Sequence, residues 1–110
     1  MTKTNKAINP FGLTDRDMKT CEDILKKYLD VTRVFIFGSR AKGDYHIGSD
    51  LDLAIMNPLS NKTLVQKIKA DFDESSLPFF VDLVHYPSLD HPDLKSHIDR
   101  VGALFFQRVF

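Results

Sequence analysis

The chain has 110 residues, 43% hydrophobic, 11% aromatic and 27% charged, which excludes a disordered or collagen-like protein and suits one domain with a single core. Lys plus Arg and Asp plus Glu number 15 each, a formal net charge of zero. That balance argues against a surface built to grip extended nucleic acid through its phosphates, yet it leaves room for a small anion held by a few local donors.

Met1 to Pro10 reads as a loose lead-in, which we extend to residue 12, and it lacks the apolar segment of a secretory signal. A helix is predicted over about 15–29. Thr14 can cap it, Asp15 and Asp17 complement its positive end, and Met18, Cys21, Ile24, Leu25, Tyr28 and Leu29 form a core-facing stripe at helical spacing. Arg33 to Phe37 is a near-unbroken run of β-branched and aromatic residues, the pattern of a strand covered on both faces. Gly38 ends it, and Ser39 to Lys42 can start a short helix before Gly43.

A polar loop, Asp44 to Ser49, leads to a second strand over about 50–56 that Asn57-Pro58 stops. Ser60 can cap an amphipathic helix to about residue 74, with Leu64, Val65, Ile68 and Phe72 on one face. Phe79 to Val84 reads as a third strand, apolar except for Asp82. Asp90-His91-Pro92 opens a last helix, and Ala103 to Phe106 either finishes that helix or forms a short edge strand. The fold class is therefore α/β or α+β: one domain over 1–110 with a small mixed sheet flanked by helices. The longest apolar stretch, Val101 to Phe106, is far short of the roughly 20 residues that cross a bilayer. Cys21 is the single cysteine, so no internal disulfide can form. A cytoplasmic protein is expected.

Chemistry concentrates in Gly38-Ser39-Arg40-Ala41-Lys42-Gly43 and Ser49-Asp50-Leu51-Asp52-Leu53. In a strand, Asp50 and Asp52 project from one face with Cα atoms about 6.5–7 Å apart, while Leu51, Leu53 and Ile55 turn to the core. Two carboxylates at that spacing repel by roughly 2 kcal/mol at an effective dielectric near 20. A sheet has no use for that repulsion, whereas Mg²⁺ is held by such carboxylates together with substrate phosphate oxygens. Asp82, if its strand neighbours the second, joins the same face. Three acids would then surround one or two Mg²⁺ ions, and Asp82 could also accept a proton from an attacking hydroxyl. Gly38 lets backbone approach a ligand, and the Ser39 hydroxyl and the amides of the short helix suit a phosphate. Arg40 and Lys42 could add charge, and Ser49 is a further candidate at the phosphate. His46 reads as an exposed loop residue. His85, His91 and His97 lack zinc-ligand spacing with a cysteine. Cys21 reads as an inert core thiol, and the tail Leu104-Phe105-Phe106 with Val109-Phe110 as core or as a partner-facing patch.

Gly38-Ser39, ten intervening residues, Asp50-Leu51-Asp52 and a later strand aspartate resemble the DNA polymerase β-like nucleotidyltransferase superfamily, and most closely its minimal single-domain MNT members. The likeness runs from about residue 14 to 102, with Lys42 standing where arginine is commoner. It implies a nucleotidyltransferase fold, triphosphate binding at Gly38 and Ser39, metal binding at Asp50 and Asp52, and Asp82 completing the triad. It further implies ATP as donor and a small helical HEPN-type partner that receives AMP, this chain being the antitoxin. The alternative is a nucleotide-binding protein that neutralises its partner by complex formation. Nothing in the residues identifies the base preferred.

Overall fold

The computed structural model describes residues 9–109; residues 1–8, most of the expected lead-in, lie outside them. From Asn9 on the chain is held: Asn9 Oδ1 accepts from the backbone N–H of Phe11 (2.9 Å) and Leu13 (3.0 Å). Thr14 and Asp17 then cap helix α1, Asp15–Lys26, each side chain accepting the other's backbone N–H at 3.1 Å. The helix buries Cys21, Ile24 and Leu25, and burial pushes the Cys21 thiol up to about 12, an inert group.

The helix ends three residues before the predicted boundary, and Leu29 is 76% exposed rather than core-facing. The reason is distant in sequence. The Arg108 guanidinium donates to the carbonyls of Leu25, Tyr28 and Val31, capping the helix C-terminus. The Tyr28 phenol meanwhile donates to Asp71 on another helix.

Strands β1 (Arg33–Phe37), β2 (Leu51–Ile55), β3 (Val81–His85) and β4 (Ala103–Gln107) form one mixed sheet in the order β3-β2-β1-β4. The strand β1 is antiparallel to both β2 and β4, while β2 and β3 are parallel. The parallel pair needs a crossover, and helix α3, Thr63–Asp73, supplies it. Short helix α2, Gly38–Lys42, follows β1, and α4, Pro92–Val101, precedes β4.

Alternation sorts the side chains. Val34, Ile36, Leu51, Leu53, Ile55, Val81 and Leu83 form the main core with Leu25 of α1 and Ile68 and Phe72 of α3. On the opposite face Phe37 and Ala54 pack with Ile98 of α4. That second layer is partial, and Asp82 on the same face stays exposed.

Two further boundaries differ from expectation, and one open alternative is decided. Ser60 is not a helix cap, because its hydroxyl donates to Asp30 (2.7 Å), and α3 begins where Asn61 Oδ1 accepts from Thr63 N–H. Strand β3 starts at Val81, leaving Phe79 and Phe80 in its approach. The ambiguous segment after Gly102 is strand β4, an edge. A register shift opposite Val34 and Phe35 lets both Phe105 and Phe106 enter the main core. The tail, read as core or as a partner-facing patch, is thus core at these two positions, while Leu104 and Val109 are exposed and Phe110 lies outside the described residues. No helix among the described residues is long and apolar enough to cross a membrane.

Candidate active site

At the end of β1, Phe37 pairs with Asp52 of β2, and Asp52 pairs in parallel register with Asp82 of β3. Gly38 takes the next step with φ +76°, in the left-handed region that side chains rarely tolerate. A Cβ placed there would overlap the Asp52 carboxylate. Glycine is required twice, for its conformation and for this close approach. Phe37 gives α2 no side-chain cap, so the N–H groups opening that helix carry the orphan donors an anion can take.

Asp50 lies one residue before β2 and is exposed, Asp52 is half-buried, and Asp82 is exposed on the edge strand. Although Asp82 is the one acid in an otherwise apolar strand, the desolvation penalty falls on Asp52. Burial, with the negative charges of Asp82 and then Asp50 beside it, pushes the Asp52 carboxyl up to about 6, and the opposing pull of Arg40 does not cancel them. None of the four ion pairs among the described residues includes any of these acids.

No group of three His, Cys, Asp or Glu side chains among the described residues stands close enough to hold a metal ion as it is. A closed three-acid cage is thus not preformed. The donor set nonetheless suits Mg²⁺, whose shell is commonly one or two carboxylates completed by waters and substrate phosphate oxygens.

Arg40 overturns an expectation. Instead of facing a phosphate, its side chain is 1% exposed. Nε and Nη2 donate to Ser49 O (3.1 and 2.9 Å), Nη2 also to Ile47 O (3.3 Å), and Nη1 to Phe11 O (2.9 Å) and Gly12 O (3.3 Å). The guanidinium also lies 4.5 Å from the Phe79 ring centre and 5.5 Å from that of Tyr45. Arg40 is a clamp that ties the loop before Asp50 to the turn before α1.

Ser49 belongs to this clamp too. Its carbonyl takes Arg40, and its Oγ accepts from His46 N–H (2.9 Å), so it braces the loop in place of the phosphate contact expected of it. The sequence carries no signal for the Arg40 role, because all of its partners are backbone carbonyls. Lys42 is exposed, 3.5 Å from Asp44, and His46 is exposed as expected.

Residues 19–109 match the family described as polymerase beta, nucleotidyltransferase. The chain belongs to this family. The nucleotidyltransferase is 35% identical over 97 residues, 87% of its own length and 84% of the relative's, to the probable protein adenylyltransferase MntA of Haemophilus influenzae. Its fold resembles that of a solved toxin–antitoxin with AMP-PNP (TM-score 0.58, 23% identity, 84% of this chain and 74% of that one). It also resembles a solved MntA–HepT toxin–antitoxin (TM-score 0.52, 21% identity, 83% and 70%). These two likenesses speak to the nucleotidyltransferase fold alone.

Proposed function

We propose that this nucleotidyltransferase moves AMP from ATP onto a hydroxyl of a partner protein and serves as the antitoxin of a toxin–antitoxin pair with a helical HEPN-type partner in the cytoplasm. The observation that carries this reading is that Asp52 and Asp82 are paired neighbours on one sheet face, with Gly38 closely approaching the Asp52 carboxylate from the end of β1. The 35% identity to a protein adenylyltransferase supports the choice of reaction. A lone buried cysteine suits a reducing compartment.

In this reading Ser39 and the amides opening α2 hold the β- and γ-phosphates. Asp50 and Asp52, with Asp82, would hold one or two Mg²⁺ ions, which neutralise phosphate charge when bound. Asp82, exposed at the sheet edge, takes the proton of the acceptor hydroxyl. The acceptor oxygen bonds to the α-phosphorus, the bond from that phosphorus to the αβ-bridging oxygen breaks, and pyrophosphate leaves. The Arg40 clamp holds Asp50 in place.

Intact-mass spectrometry of a purified candidate partner of the helical HEPN type, incubated with ATP, Mg²⁺ and wild type, should show an AMP adduct. The Asp50→Asn/Asp52→Asn variant should leave the partner unmodified. Equal modification by both proteins would refute the reading. The alternative reading is neutralisation of the partner by complex formation alone. In that case the double variant would still protect cells from the partner.

A further inference from the structure

We propose that Phe80 positions the acceptor, its ring being the platform on which the partner seats an apolar or aromatic side chain at or beside the hydroxyl to be modified. This rests on the transferase reading above. Phe80 is 79% exposed, while its neighbours Phe79 and Val81 pack in or against the main core. A lone exposed aromatic needs no explanation; this one is distinguished by where it stands. Its carbonyl accepts from Leu51 N–H (2.8 Å), continuing the parallel pairing of β2 and β3 one step before Leu51 and Val81. That step sets Phe80 opposite Asp50 and two residues ahead of Asp82. The residue also borders a cleft of about 480 Å³ that Leu77, Pro78, Lys69 and Asp73 help to line.

The chemistry assigns the side from which the acceptor comes. In phosphoryl transfer the attacking and leaving oxygens lie roughly in line, on opposite sides of the phosphorus. Gly38 and α2 flank Asp52 from the β1 side, whereas Asp82 and Phe80 flank it from the β3 side. With pyrophosphate held at α2, the acceptor hydroxyl enters over β3. That strand is an edge, so the approach is open. An aromatic ring there offers apolar area and an oriented face to a second ring.

The test is steady-state AMP transfer to the purified partner protein, with ATP and acceptor varied in turn. Phe80→Ala should raise the acceptor KM at least tenfold, leave the ATP KM within twofold, and leave the melting temperature unchanged because the ring is exposed. Phe80→Tyr should restore the acceptor KM. A rise in the ATP KM instead would assign the ring to the nucleobase and overturn the proposal. So would unchanged kinetics for Phe80→Ala while wild type is active, and that result would leave the transferase reading standing. No transfer by wild type would remove both.

Discussion

Arg40→Met is expected to lower stability by about 3 kcal/mol, because four backbone carbonyls lose a charged donor that reaches them from one buried point. For a chain of this size that is a fall of roughly 12–24 °C in melting temperature. Arg40→Lys should fall between the two, since a single ammonium cannot match the guanidinium fork toward Ser49 while also reaching Phe11 and Gly12. Thermal denaturation followed by circular dichroism gives the order wild type, Lys, Met. A phosphate ligand would behave differently: its loss would weaken ATP binding with little change in melting. Intact stability in Arg40→Met would therefore return Arg40 to the phosphate.

Asp52→Asn should abolish transfer and yet stabilise the apo protein. The Asp52 carboxyl sits at about 6 in the fold, against 3.8 for an ordinary aspartate, with burial as the leading cause. A group raised in this way favours the native state at low pH, and the benefit is lost as pH rises through the folded value. Above pH 6 wild type thus holds a charge the fold resists. The side chain is only half-buried, so the full conversion of the shift is discounted to about 1–2 kcal/mol. The asparagine variant should melt higher than wild type at pH 8 and match it near pH 4. Activity should fall at least a hundredfold, about 3 kcal/mol of transition-state stabilisation. Wild type melting above the variant at pH 8 without metal would contradict the electrostatic picture.

How much was legible in the residues follows from how local each cause is. The unbroken apolar run of β1 and the alternation of β2 are local, and both strands stand within a residue of where the sequence reading puts them. The capping box of α1 is equally local, but the helix end is set by Arg108, 80 residues beyond Tyr28. The segment Ala103 to Phe106 suits helix or strand alike, and only pairing with β1 decides it. At the candidate site, Gly38, Asp50 and Asp52 stand out by spacing, whereas Asp82 depends on β3 lying next to β2, a fact of sheet order. Arg40 was misread because its partners, Phe11, Gly12 and Ile47, carry no side-chain signal. They offer only carbonyls.

The most direct test of the site is a crystal of the protein grown with Mn²⁺ and a non-hydrolysable ATP analogue, recorded at the manganese absorption edge. The account expects an anomalous peak bridging the Asp50 and Asp52 carboxylates and the analogue's phosphates, with the β- and γ-phosphates at the start of α2. An ordered analogue lying elsewhere, with no peak beside those two carboxylates, would contradict it.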